Sequence, residues 1–230
     1  MIGFYNYTMW LTYMSLASAG LGIVISLTGD GHPYIGMFFL LFCGLCDAFD
    51  GKVARLKKDR CETECKFGVQ LDSLSDIVAF GVLPLCIGAA LIRRSETFEF
   101  GKSGWGLVFS VIVFVIMSLY LLAALIRLAY FNVTEEERQK VETGARKFYL
   151  GLPVTSAAII YPFILIILYV FQNFYQVDLT AFYYVIMFVM AIAFVTKFQL
   201  KKPGLKAILG MVAIGLVEAA VMITAFMLAK

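Results

Sequence analysis

The sequence predicts an all-α, polytopic transmembrane bundle of about seven spans, with a range of six to eight. Three observations predict it. Of the 230 residues, 61% are hydrophobic and only 15% are charged, more apolar surface than a soluble chain of this length hides. The apolar residues gather in runs of about 20, the length that crosses a hydrocarbon core. The polar breaks between the runs are alternately rich and poor in Lys and Arg, the mark of a fixed orientation in a bilayer. The chain reads as one domain over 1–230, without internal repeats, low-complexity tracts or a nucleic-acid-binding patch. Its N-terminus lacks the basic flank of a cleavable signal peptide and enters the first apolar run directly.

Taken in order, the runs predict helices over Tyr7–Leu27, Tyr34–Leu56, Gly68–Ile92, Gly106–Phe131, Phe148–Phe171, Thr180–Phe198 and Leu205–Leu228. The turn "TGDGHP" separates the first two, and its Gly and Pro are helix breakers. Gly81 and Pro84 bend the third helix, the second and third being the least purely apolar. The break "RRSETFEFGKSG" precedes the fourth. "NVTEEERQKVETGARK" follows it and reads as a solvated loop or short helix. "QNFYQVDL" and "KFQLKKPGLK" flank the sixth, and the last run is one helix or a broken pair.

The basic residues orient the bundle. With the Asp-rich loop after the second helix placed in the cytoplasm, 15 of the 19 Lys and Arg fall inside, and only Arg93, Arg94, Lys102 and Lys230 fall outside. The N-terminus is then inside and the C-terminus outside. The basic collar suits an anionic cytoplasmic leaflet of the cell membrane.

The chemistry concentrates in "CDAFDGKVARLKKDRCETECKFGVQLDSLSDIVAFG", residues 46–81. Asp47 and Asp50 are spaced i, i+3, and Ala54 continues their face; Asp72 and Asp76 are spaced i, i+4. Two neighbouring antiparallel helices can therefore aim four carboxylates at one volume within the membrane. So many like charges repel, and hard oxygen ligands call for Mg²⁺, Mn²⁺ or Ca²⁺ rather than zinc. Four carboxylates suffice for two ions, an arrangement suited to phosphoryl transfer. Two other readings stand beside this one. The acids pair with Lys52, Arg55 and Lys66, or they line an ion path, as intramembrane carboxylates do in transporters. The five cysteines, Cys43, Cys46, Cys61, Cys65 and Cys86, read as free thiols rather than zinc ligands. His32, the single histidine, has no second histidine to work with.

The pattern Asp47-x2-Asp50-Gly51-x2-Ala54-Arg55, then Gly68-x3-Asp72-x3-Asp76, resembles the signature of the CDP-alcohol phosphotransferases, which are integral membrane enzymes. The flanking text is similar to the phosphatidylserine synthases of that family: "LDSLSDIVAFGVLP" (71–84), "ALIRLAYFN" (124–132) and "FYLGLPVTSAA" (148–158). The likeness covers residues from about 40 to 160. Tyr130 stands where the pattern has Arg, Thr155 where it has Pro, and Met9 where it has an Asn three residues before Thr12. The link between Arg55 and Gly68 is 12 residues, longer than the family's usual one.

The resemblance implies a metal-dependent transfer of the phosphatidyl group from CDP-diacylglycerol to L-serine, giving phosphatidylserine and CMP at the cytoplasmic face. It implies that Asp47, Asp50, Asp72 and Asp76 hold Mg²⁺ or Mn²⁺, two ions, with Asp76 also taking the proton of the serine hydroxyl. Thr12, Gly51, Ala54, Arg55 and Gly68 would contact the nucleotide and diphosphate. Arg127, Asn132 and Lys147 are the acceptor-site candidates; Arg127 alternatively snorkels to the interface. Membrane lipids and a second copy, in a homodimer, are the expected partners. The alternatives are the same transfer to glycerol phosphate, inositol phosphate or another alcohol, and a cation-coupled transporter. Only the transfer reaction has a use for Gly51-x2-Ala54-Arg55 beside the acids.

Overall fold

The computed structural model of the chain describes residues 3–57, 59, 61–95, 104–141, 148–201 and 203–229. Eight α-helices follow in order: α1 Trp10–Leu27, α2 Pro33–Ala54, α3 Glu62–Asp76, α4 Leu83–Arg94, α5 Gly104–Val141, α6 Ala157–Phe174, α7 Thr180–Val195 and α8 Leu205–Leu228. A π-helical segment, Ile77–Val82, joins α3 to α4 into one rod. Among the described residues, six helical stretches are long and apolar enough to cross a membrane, and Thr180–Val195 is a shorter apolar helix. The expected all-α membrane bundle is the observed architecture.

Several boundaries differ from expectation, each for a local reason. Residues Tyr7–Met9 form a 3-10 turn before α1, capped by the Asn6 side chain, which accepts the Thr8 N–H. The third helix begins at Glu62 rather than Gly68, because the Cys61 thiol caps it and accepts the Glu64 N–H at 3.4 Å. The fourth helix runs ten residues beyond Phe131 to Val141, so "NVTEEERQKV" is helical. Its charges pair along the surface, with Arg138 on Glu135 and Lys140 on Glu136. The predicted helix over Phe148–Phe171 starts only at Ala157. Gly151 is left-handed (φ +76°) and Pro153 cannot continue a helix, so "FYL" becomes a strand. That strand, β1 (Phe148–Leu150), pairs antiparallel with β2 (Gln199–Lys201), which ends the predicted sixth helix at Val195. The last run is one unbroken helix.

Helices in a bilayer gain little from excluding water from one another, so they pack by close approach of small residues. A Cβ at Gly22 would lie 2.7 Å from the Phe39 Cβ, which brings α1 against α2, and one at Gly44 would lie 2.5 Å from the Ala158 Cβ, which brings α2 against α6. Where Gly81 and Pro84 predicted a bend, the chain forms the π segment. Pro84 has no N–H to offer the Phe80 carbonyl, and the Tyr120 hydroxyl donates to that carbonyl at 2.6 Å. Tyr183 and Tyr184 donate to the carbonyls of Pro84 and Gly88, each at 2.8 Å. The buried core thus draws on α2, α4, α5, α6 and α7, while the aspartates lie at the end of α2 and on α3.

Candidate active site

On α2, positions 40, 43, 47, 50 and 54 make one stripe. Its first part is buried against α1: the Cys43 thiol donates to the Ser15 carbonyl at 3.3 Å, and the Ser18 hydroxyl to the Phe39 carbonyl at 3.2 Å. That antiparallel register, carried one turn further, brings Thr12 level with Asp47. Thr12 is buried, and its carbonyl accepts the Ser75 hydroxyl of α3 at 3.3 Å. α1 is therefore the wedge between the two acid-bearing helices, and α2 and α3 make little direct contact with each other.

Across that wedge the fold brings together Asp47, Asp50 and Asp72, each half-buried, with carboxylate oxygens no more than 4.8 Å apart. The carboxyl groups of Asp50 and Asp72 are within hydrogen-bonding range of each other. Among the described residues no Lys or Arg forms an ion pair with any of these acids, and the ion pairs present lie elsewhere, at Glu64, Glu62, Glu135 and Glu136. This removes the reading in which Lys52, Arg55 and Lys66 neutralise the cluster: Lys66 pairs with Glu62, and the Lys52 ammonium lies over the Phe49 ring. At about 5 Å, two carboxylates repel by about 3 kcal/mol at an effective dielectric of about 20. An all-oxygen group of three acids with no basic partner among the described residues fits a hard divalent cation. The metal-capable group contains no cysteine, and all five thiols are free.

The structure places the remaining candidates as follows. Asp76 is buried one turn beyond Asp72, outside the three-residue group, and within electrostatic reach of all three of its members. Gly51 is exposed, and a Cβ there would meet only the Arg55 Nη2 at 3.8 Å, so its face is open to a ligand. Ala54 is half-buried in the last turn of α2, and Arg55 is exposed just past its end. Gly68 is half-buried on α3, one turn before Asp72. Arg127 is buried on α5; its Nε donates to the Leu152 carbonyl at 3.2 Å, and its guanidinium carbon lies 5.7 Å from the Phe131 ring centre. It does not snorkel. Asn132 donates to the Ser73 hydroxyl at 2.7 Å, beside Asp72. Lys147 lies outside the described residues.

Sequence reasoning missed Glu64. It is buried, salt-bridged to Lys57 at 3.0 Å, and accepts from the Asn6 amide at 2.6 Å. The available signal was Cys61-x-x-Glu64, a capping-box spacing with Cys in place of Ser. Ser73, next to Asp72, was missed as a partner for Asn132.

A family model described as CDP-alcohol phosphatidyltransferase matches residues 5–198. A Saccharomyces cerevisiae protein named CDP-diacylglycerol–serine O-phosphatidyltransferase is 35% identical over 133 residues, 57% of this chain and 41% of that protein. A Helicobacter pylori protein of the same name is 28% identical over 145 residues, 63% of this chain and 52% of that protein. An archaetidylserine synthase of Methanothermobacter thermautotrophicus is 32% identical over 149 residues, 65% of this chain and 53% of that protein. The chain thus spans about half the length of the curated relatives it matches. No solved structure matches it significantly.

Proposed function

The chain belongs to the CDP-alcohol phosphatidyltransferase family, and on that premise we propose that it transfers the phosphatidyl group of CDP-diacylglycerol to L-serine, releasing CMP. The observation that carries this reading is the unpaired group Asp47, Asp50 and Asp72 on two helices held apart by α1. Serine is supported as acceptor because the relatives named above share it while the lipid part of their names differs.

Asp47, Asp50 and Asp72 would hold Mg²⁺ or Mn²⁺, with Asp76 completing the donors for a second ion. When bound, such ions neutralise the diphosphate and the charge that builds on the departing CMP. The open face at Gly51 admits the nucleotide, with Thr12, Ala54 and Gly68 around it, and Arg55 pairs with phosphate. Asp76 takes the proton of the serine hydroxyl as that oxygen bonds to the lipid-side phosphorus and the bond to CMP breaks. Arg127, its plane set by the Leu152 carbonyl, pairs with the serine carboxylate, with Asn132 and Lys147 as further candidates for acceptor binding. The acyl chains remain in the bilayer. The cytoplasmic orientation and the homodimer belong to this proposal; crosslinking in native membranes tests the dimer.

The deciding experiment is release of labelled CMP from CDP-diacylglycerol by the purified protein with Mn²⁺, supplied with serine, glycerol phosphate, inositol phosphate or no alcohol. Serine alone should support turnover. Turnover with a phosphorylated alcohol instead would move the acceptor assignment, and no CMP release with any alcohol would overturn the reaction.

A further inference from the structure

α2 carries Asp47 and Asp50, and α3 carries Asp72, yet these helices make little contact with each other. At one end of the gap the π segment and α1 hold them. At the other, where α2 ends at Ala54 and α3 begins at Glu62, the chain must cross with polar residues. Among the described residues there, Glu64 is the buried side chain that closes that end. Both carboxylate oxygens of Glu64 lie 3.0 Å from the Lys57 ammonium, which belongs to the α2–α3 link. Glu64 Oε1 also accepts the Asn6 amide at 2.6 Å. Asn6 in turn caps the turn before α1 through the Thr8 N–H, and Phe4 packs on Phe67 with ring centres 5.4 Å apart. The N-terminal residues, the α2–α3 link and the start of α3 thus meet at one carboxylate, two turns before Asp72.

We infer that Glu64 is a positioning residue: with Lys57 and Asn6 it forms a clasp that sets the spacing between α2 and α3, and so the spacing of Asp72 from Asp47 and Asp50. This rests on the functional reading above. A carboxylate group shared between two weakly touching helices is only as well placed as the tie that holds them. Long polar side chains are ordered at an entropic cost, and an ion pair this well enclosed, with a third hydrogen bond, is the kind that fixes geometry rather than decorates a surface. Nothing in nucleotide or serine binding requires a carboxylate at position 64.

The test uses the full chain in detergent, with Mn²⁺ alone as probe, its binding followed by electron paramagnetic resonance. Glu64→Ala and Lys57→Met should each weaken Mn²⁺ binding about 10-fold, the range that outer-shell changes produce. The KM for CDP-diacylglycerol should rise more than kcat falls. Glu64→Gln, which keeps the acceptor for Asn6 but not the charge for Lys57, should fall between Glu64→Ala and wild type. Should Glu64→Ala fail to fold, Lys57→Met, at a partly exposed position on the link, decides the matter. Wild-type Mn²⁺ affinity in Lys57→Met, or loss of binding only in proportion to loss of folded protein, overturns the clasp. A wild-type chain that binds Mn²⁺ but releases no CMP overturns the reaction instead, and leaves the clasp standing.

Discussion

Replacing Asp50 by Asn should make the metal-free protein more stable while destroying its activity. Asp50 has two carboxylate neighbours, Asp47 and Asp72, with oxygens no more than 4.8 Å away. Full charges at that separation repel by about 3 kcal/mol per pair at an effective dielectric of about 20. Asp50 is half-buried, and solvent, salt and a proton shared with Asp72 leave only part of this; about 2 kcal/mol is the expected gain. Asn keeps the shape and the oxygen that accepts the Gly51 N–H, and it offers Asp72 a donor in place of a like charge. For a chain of this size about 2 kcal/mol raises Tm by roughly 4–8 °C. The assay is thermal unfolding in detergent with excess chelator, then with Mn²⁺. Wild type should start lower and rise with Mn²⁺, by about 2.7 kcal/mol at 100 times its Kd. Asp50→Asn should start higher, respond little, and turn over no substrate, in line with the stability–activity trade-off of binding sites. Asp47→Asn and Asp72→Asn should behave alike. A chelated Asp50→Asn protein that melts at or below the wild-type temperature would refute the reasoning, since the three acids would then not be in uncompensated repulsion. Full wild-type activity in excess chelator would refute the metal role directly.

Arg127→Ala should lower kcat/KM for serine about 10- to 150-fold, the worth of one charge-assisted bond of about 1.5–3 kcal/mol, with CDP-diacylglycerol binding retained. Arg127→Lys should rescue only partly, lacking the planar fork; serine kinetics that merely track thermal stability would return Arg127 to a structural role. Cys61 and Cys65 are exposed and free, so an impermeant maleimide should label them in inverted vesicles and not in intact cells, and the reverse pattern would overturn the orientation. Gly44→Ala should destabilise by about 1–3 kcal/mol, because a Cβ there lies 2.5 Å from the Ala158 Cβ. Adding Ala158→Gly should restore the melting temperature, and failure to do so would mean that α2 and α6 do not pack through this pair.

The acidic site was legible because it is written in local spacing. Asp47 and Asp50 share a face of any helix that contains them, as do Asp72 and Asp76, and the apolar runs on either side leave no other fold for those segments. What spacing does not contain is which partner each group meets. Asp76 follows Asp72 by one turn, yet only Asp72 joins Asp47 and Asp50 in the close group. Glu64 and Lys57 carry no mark in their local spacing that pairs them, and Glu64 also takes the amide of Asn6, 58 positions away. The strand at Phe148–Leu150 was hidden by its apolar composition: three residues between a basic loop and a Gly-Leu-Pro break look like the start of a helix until the partner strand 50 residues away is known.

The π segment shows the same limit most sharply. Gly81 and Pro84 announce an irregularity in the third span, and proline alone would account for a kink. The structure uses it differently. On a regular helix, 3.6 residues per turn fixes the angle between Asp72 and Asp76 at one end and Leu83, Ile87 and Leu91 at the other. The extra residue taken up within Ile77–Val82 turns the two halves relative to each other. The acids can then face α1 and α2 while the lower half packs into the core. Such a segment persists only if its displaced carbonyls find donors, because none is available from lipid. Within the segment the Phe80 carbonyl takes the hydroxyl of Tyr120 on α5, 40 positions away; just beyond it the Pro84 carbonyl takes that of Tyr183 on α7, 99 positions away. Distant residues thus meet the acid-bearing half at both ends: tyrosine hydroxyls in the core, and Asn6 at Glu64, where the proposed clasp also uses Lys57. Among the described residues neither end forms an ion pair with the acids themselves, in keeping with the proposal that a cation takes that role.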